Sequence, residues 1–503
     1  MDIPRNVKIV IVVLLCAILG LACSADGTST GPKESTENYS VSPTPTPTPI
    51  PTPTSTPVDS KQVAPQFVAG PSGLGDSYFP NLGNGGYDVE RYIIEVQWDP
   101  EEKWLSGSTV IEAKSTENLS SFNVDFAPMQ ISEVTVNGVR ADFTAEENEV
   151  VVIPSEGILS GTDFNARFVY EGSPSLFCRD TNCSLLGGWY NLEEGAFVAG
   201  EPSSSLAWHP VNDHPRDRAQ FRIEMTLPSN LDFVTNGVFL SKTQNGEVST
   251  WVYETVHPRA PYLTTLAIGE FEEVIAPSVD DLPIRHWIEE GIVRENLAYL
   301  DYDKMVSVLT DLFGPYPFDT YGVLVLNHQL GFALETQTLS LFGRDTFEIE
   351  SIHIHELAHQ WFGNHLTVES WSEIWLNEGF ATYSEALYYQ AIYPDFDIYQ
   401  YLIAGFGGRE SQLLGGIPPG DPGPESLFSA SVYYRGALTL HALRLTIGDE
   451  AFFTSLREYA DQFGGTNVST DDFIQLVEKI SGEALGDFFD RWLLGPVLPE
   501  MPS

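Results

Sequence analysis

His355-Glu356-Leu357-Ala358-His359, with Glu378 nineteen residues past His359, constrains this chain more tightly than any other stretch. Two histidines four positions apart lie on one face of a helix, where their imidazoles can grip a single metal ion. Glu378 can join them only if a second helix lies against the first. A catalytic zinc takes three protein ligands and keeps one position for water, and His355, His359 and Glu378 supply that set. Glu356 sits one step from the first ligand, poorly placed to coordinate but close enough to take a proton from a metal-activated water as general base.

His365 follows His359 by six residues, the offset of the metzincin pattern HExxHxxGxxH. Phe362 stands at that pattern's glycine, Gly363 comes one residue late and no Met-turn follows, so His365 is read as lying outside the ligand set. His328, His353 and His441 show no ligand spacing and read as packing or surface residues.

Upstream the texture differs. Tyr92 to Trp98 and Phe221 to Leu227 alternate large apolar with mostly polar residues, the period of strands with one buried face. Asn137-Gly138, Asn236-Gly237 and Asn245-Gly246 are hairpin signals. Residues 76–283 therefore read as one antiparallel β domain, with folded sequence beginning near Asp76. From Val293 to Leu312 the apolar spacing turns helical, Gly314-Pro315-Tyr316-Pro317 ends it, and Tyr321 to Leu326 is a short apolar strand. From Glu348 nearly everything reads helical, so residues 284–496 form an α+β second domain.

The chain has 503 residues and a net charge of −45, a field that repels nucleic acid and anionic membrane surfaces and excludes a polynucleotide partner. Arg5 and Lys8 precede an apolar run from Ile9 to Ala22, which reads as a signal peptide over residues 1–22. Gly20-Leu21-Ala22-Cys23 resembles a lipoprotein cleavage site, with Cys23 as the future lipidated N-terminus. Residues 23–75, almost pure Pro and Thr from Ser42 to Pro57, form an extended linker. The expectation is an exported protein of the cell envelope or surface, lipid-anchored through Cys23. Cys178 and Cys183 are expected to close a small disulfide loop.

His355-Glu356-Leu357-Ala358-His359-Gln360-Trp361-Phe362-Gly363-Asn364, followed by Trp375-Leu376-Asn377-Glu378-Gly379-Phe380-Ala381, resembles the aminopeptidase N family of gluzincin zinc metallopeptidases. Gly314-Pro315-Tyr316-Pro317 and Gly200-Glu201-Pro202 are similar to further family segments. The resemblance covers about residues 80 to 496. It implies a saddle-shaped N-terminal β domain on a thermolysin-like, mostly helical catalytic domain, with one zinc per chain and removal of N-terminal residues from peptides. By position it also implies three roles. Glu335, in Gly331-Phe332-Ala333-Leu334-Glu335-Thr336-Gln337, matches the glutamate of the family's GAMEN motif, which holds the substrate's α-ammonium. Glu201 matches a second amine-binding carboxylate. Tyr433, in Val432-Tyr433-Tyr434-Arg435-Gly436, matches the tyrosine whose hydroxyl steadies the oxyanion. Phe332, Leu334, Thr336 and Ala199 depart from the family pattern, which bears on backbone contacts and pocket shape. The chain stops soon after Trp492, so a short form without the family's C-terminal helical domain, and with a more open cleft, is expected. The resulting expectation is a zinc-dependent aminopeptidase acting on peptides. An endopeptidase of the same fold and a catalytically silent surface peptide-binding protein stay open beside it.

Overall fold

Alternation in the first half of the chain produces a long sheet with one face on a core. Along Tyr87–Asp99 the side chains of Tyr92, Ile94, Val96 and Trp98 are buried, and along Gln220–Pro228 those of Phe221, Ile223, Met225 and Leu227. The computed structural model describes residues 65–127, 129–178, 186–279, 281–293, 300–405 and 416–502. The expected signal peptide, Cys23, the linker up to residue 64 and the Cys178–Cys183 bridge lie outside the described residues. From Phe67 onward the chain is one compact unit.

An eight-stranded sheet begins at its edge with the hairpin Val238–Asn245 and Val248–Glu254, continues through Gln220–Pro228, Tyr87–Asp99, Trp104–Ser115 and Asp163–Gly172, and ends with Gln130–Val136 and Val139–Arg140. A five-stranded sheet packs with it and contains the wholly buried strand Ala196–Ala199, which leads directly to Glu201. Two pairings run parallel within this half, Tyr87–Asp99 with Gln220–Pro228 and Val68–Ala69 with Leu119–Asp125. Period-two patterning carries no strand direction, and long connections free a strand from the antiparallel geometry of a hairpin. The second pairing also starts the fold before Asp76.

Asn137-Gly138 closes a two-residue hairpin with both residues at positive φ, 51° and 76°. The turn after Asn245 likewise joins two paired strands. Asn236-Gly237 does not make a hairpin, because the strands on either side of it, Asp232–Thr235 and Val238–Asn245, belong to different sheets. Its asparagine is buried and bridges instead: Nδ2 donates to the Gln337 carbonyl at 2.7 Å and Oδ1 accepts from the Thr265 N–H at 2.7 Å.

The second half opens with the hairpin Phe271–Val279 and Leu282–Glu289, so the expected border at residue 283 falls inside a strand. Leu282–Glu289 pairs with Val323–Leu326, which pairs in turn with Ser340–Gly343, and the edge of this sheet is Ala333–Leu334, immediately before Glu335. Helices Tyr302–Phe313, Glu350–Ala358, Trp375–Ile392, Gly436–Ile447, Asp449–Phe463 and Thr470–Ser481 pack around a large apolar core. The architecture is a mostly-sheet N-terminal half on a mixed, largely helical C-terminal half.

The halves are joined by a shared apolar layer in which Phe197, Ala199, Val234 and Ala267 meet Leu324, Leu326, Leu339 and Leu341. Two polar links reinforce it. Arg218 donates to the carbonyls of Pro258, Asn364, His365 and Thr466, tying the chain just beyond His359 to the β half. Asp76 accepts from the N–H groups of Tyr78, Phe79 and Trp371 at 2.8 to 2.9 Å, from Ser370 Oγ at 2.8 Å, and lies 3.3 Å from His214 Nε2.

Burial alone would raise the Asp76 carboxyl, but hydrogen bonds from His214, Trp371, Phe79 and Ser370 hold it well below its ordinary 3.8. Asp76→Ala strands several buried donors and is expected to cost about 3 kcal/mol in urea unfolding at neutral pH. A carboxyl whose pKa is lower in the folded state stabilises fully above its unfolded value and loses that contribution as pH falls. Wild-type stability should therefore drop as pH falls below 3.8, and drop less in the variant.

Candidate active site

Helix Glu350–Ala358 carries His355, and His359 follows as its C-terminal cap with helical backbone angles. Their rings lie 4.7 Å apart between centroids. Glu378 stands in the first turn of Trp375–Ile392, where the helix N-terminus favours a carboxylate. Its Oε2 is 3.2 Å from His355 Nε2 and 3.5 Å from His359 Nε2. Three donors at zinc-ligand distance in tetrahedral array stand about 3.3 Å apart, and the two separations from Glu378 to the histidines match that spacing. Among the described residues, His355, His359 and Glu378 form one of two groups compact enough to hold a metal ion.

Both histidines present Nε2 inward because Nδ1 is engaged elsewhere. His355 Nδ1 lies 2.8 Å from Glu385 Oε1, and His359 Nδ1 lies 2.9 Å from the Phe362 carbonyl. Nδ1–H donation in each case leaves an Nε2 lone pair for the metal. Tyr401 completes the arrangement by donating to Glu385 Oε2 at 2.6 Å. Gly363 makes the turn after the histidines at φ 124°, where any Cβ would press on His359 Nδ1 at 3.2 Å.

The other compact group is Glu201, Glu335 and Glu378, so the two share Glu378. Glu201 arrives from the β half and Glu335 from the sheet edge of the C-terminal half. Each has a buried Oε1 with no hydrogen-bond partner among the described residues. Burial and the neighbouring charges of Glu335, Glu378 and Glu356 push the Glu201 carboxyl well above its ordinary range. Burial also lifts Glu356, to about 8, against the opposing pull of His355 and His359. Glu378 goes the other way: burial raises it, but both histidines outweigh burial and bring it to about 2. Such a crowd of carboxyl groups around two imidazoles invites cations.

Tyr433 stacks on the His355 ring with centroids 5.8 Å apart and planes 14° off parallel. Burial, then Glu378 and its neighbours, raise the phenol well above its ordinary value, so it remains a donor. It sits on a π-helical turn, Ser431–Arg435, a distortion often found at functional sites. Two contacts fix that turn. Gly436 meets Gly379 backbone to backbone, a Cβ on either falling 3.0 to 3.1 Å from the other's Cα. Arg435, fully buried, donates to the carbonyls of Trp492, Arg491 and Gly495.

His365 stands apart, its ring edge-on to Phe318 at 6.0 Å, and is not in either compact group. His353 is a buried packing residue between Tyr302 and the Phe347 carbonyl. Glu385, Tyr401 and Arg435 were not singled out by sequence reasoning. Glu385 had a signal: seven residues past Glu378 on one helix, it returns to the same face two turns on.

A sheet half closing over a helix-borne His, His, Glu donor set defines a two-domain zinc metallohydrolase. Residues 302–492 match the Peptidase family M1 domain. An M1 zinc metallopeptidase from Deinococcus radiodurans is similar with 32% identity and a TM-score of 0.79, covering 86% of this chain and 99% of that one. A substituted form of it, solved with a Tyr-Ser-Ala substrate, gives 33% identity and a TM-score of 0.80, covering 86% and 99%. The chain belongs to the M1 family of zinc metallopeptidases. Among curated relatives, Aminopeptidase M1-A of Oryza sativa subsp. japonica is 26% identical, covering 72% of this chain and 45% of that protein. The leucyl aminopeptidase of Saccharolobus solfataricus is 24% identical, covering 82% and 54%. The chain spans about half the length of the curated relatives it matches.

Metal content tests the donor set without any activity assay. Glu378→Ala should lose zinc and His365→Ala should keep it. Glu385→Ala should retain a zinc site weakened about 10- to 100-fold in competition with a chelator.

Proposed function

We propose that this chain is a zinc-dependent aminopeptidase that removes N-terminal residues from peptides. The observation that carries the reading is the pair Glu201 and Glu335, buried carboxylates with unpartnered oxygens grouped with the metal donor Glu378. A peptide's α-ammonium supplies what both oxygens lack, a charge-assisted donor. The Glu201 and Glu335 carboxylates lie within 4.8 Å of Glu378, so an ammonium held there would bring the first peptide carbonyl towards the metal donors and place the cut after the first residue. An acetylated terminus has no charge and would strand both carboxylates.

A zinc ion held by His355, His359 and Glu378 would supply Lewis-acid polarisation of the scissile carbonyl and a water of lowered pKa. Glu356 takes the proton from the attacking water and returns it to the departing amine. The Tyr433 hydroxyl donates to the oxygen that gains negative charge in the tetrahedral state. Glu385 and Tyr401 hold the His355 ring in its productive tautomer.

A peptide offered free and N-acetylated discriminates the reading from an endopeptidase: the free form should be cleaved residue by residue, the acetylated one left intact. Equal cleavage of both would sink the aminopeptidase reading. Glu356→Gln should lower kcat by about 10²- to 10⁴-fold while zinc content stays at one per chain. Chelation should abolish turnover and added zinc restore it.

We also propose that the protein is exported and held at the cell envelope through a lipidated Cys23, with the Pro/Thr-rich segment before residue 65 as a stalk. Cys23→Ser should move it from the detergent to the aqueous phase on phase partitioning. Unchanged partitioning would contradict the anchor.

A further inference from the structure

We infer that Gln360 and Asn364 set the distance between the metal donors and the amine-binding Glu335, and so fix where the peptide is cut. This rests on the aminopeptidase reading and adds two specificity-positioning residues to it. Both are fully buried, and their side-chain hydrogen bonds go to backbone groups.

Their side chains converge on the backbone of Glu335. Gln360 Nε2 donates to the Glu335 carbonyl at 3.0 Å and Asn364 Nδ2 donates to the same oxygen at 2.7 Å. Gln360 Oε1 meanwhile accepts from the Thr338 N–H at 2.9 Å, so one amide grips the segment at both ends. At their other ends the two residues are part of the metal helix's terminus. Gln360 is the next residue after His359, and the Asn364 N–H donates to the His359 carbonyl at 3.0 Å. The path from a metal donor to the carboxylate thus runs through one backbone bond and two side-chain amides.

Residues 335 to 338 follow the edge strand Ala333–Leu334 and, among the described residues, pair with no strand, so side-chain bonds and the Gln337 N–H donated to the Leu263 carbonyl hold them. Thr338 adopts φ 68°, a left-handed conformation that a β-branched residue holds only when its surroundings impose it. Those surroundings are Gln360 on one side and the β half on the other, where Gly237 N–H donates to Thr338 Oγ1 at 3.1 Å and Asn236 donates to the Gln337 carbonyl. Two carbonyl acceptances fix position, whereas charge repulsion among Glu201, Glu335 and Glu378 would otherwise push the carboxylates apart. With the motif's flanking positions changed to Phe332, Leu334 and Thr336, this clamp holds Glu335 in register.

Gln360→Met and Asn364→Leu remove the amides while keeping similar volume. In the zinc-loaded full chain, each is expected to raise KM for a free-amine peptide by about tenfold, the effect of one or two lost hydrogen bonds on placement. Preference in kcat/KM for the free over the N-acetylated peptide should fall by a similar factor, with zinc still at one per chain. A merely structural role would lower thermal stability and the active fraction while leaving KM and the preference within about twofold of wild type, and that outcome overturns the inference. Wild-type protein that does not prefer the free amine overturns the aminopeptidase reading and this inference with it. A wild type that discriminates beside variants that discriminate equally overturns this inference alone.

Discussion

Burying Glu201, Glu335, Glu356 and Glu378 around two imidazoles is the constraint on which the rest of the structure turns. Isolated buried carboxylates are costly, and each here is either paired, raised in pKa or left with an unpartnered oxygen. A bound proton or a bound cation relieves the arrangement. His355 and His359 shape one place for a cation of metal size, and Glu201 with Glu335 shapes a second beside it. Much of the remaining architecture can be understood as scaffolding that holds negative groups closer than they would stand in water.

That scaffolding is distributed between the two halves. Glu201 and Glu335 come from different sheets, and the layer formed by Phe197 and Ala199 against Leu339 and Leu341 is what keeps those sheets together. Burial of each large side chain in it contributes about 1.5–3 kcal/mol. Arg218 and Asp76 add direction to this non-directional attraction, because each joins several fixed backbone groups across the boundary. On the far side of the site, the Gly379 and Gly436 contact and the Arg435 hydrogen bonds bring Tyr433 onto His355. Glu378 therefore lies where three independent packing decisions meet: the crossing of its own helix with the histidine helix, its crossing with Gly436–Ile447, and the docking of the β half.

Much of this was legible in the residues. Helical spacing put His355 and His359 on one face, with Glu378 to be added by a second helix, and the structure brings their nitrogens and oxygen within reach of one ion. Period-two alternation over Tyr92 to Trp98 and Phe221 to Leu227 read as half-buried strands, and the strands Tyr87–Asp99 and Gln220–Pro228 contain them. The direction of their pairing was not legible, since side-chain alternation is the same in parallel and antiparallel neighbours. Asn236-Gly237 reads as a hairpin because local turn chemistry is all a dipeptide displays, yet Asn236 is used to bridge Thr265 and Gln337 across sheets. Gln360 and Asn364 were visible as part of a motif but carried no role, because their partner is a backbone carbonyl and backbone groups leave no mark on composition.

By itself, then, the sequence determined which residue types could hold a metal and that His355 and His359 share one helix face, because both follow from residue type and helical periodicity over a short stretch. It also determined the strongly negative character of the molecule. Tertiary structure alone decided which oxygens lack partners, how His355 is held by Glu385 and Tyr401, and how far Glu335 stands from the metal donors. Those are distances between segments far apart in the chain. They are set by packing of whole layers, a property that no window of the sequence contains.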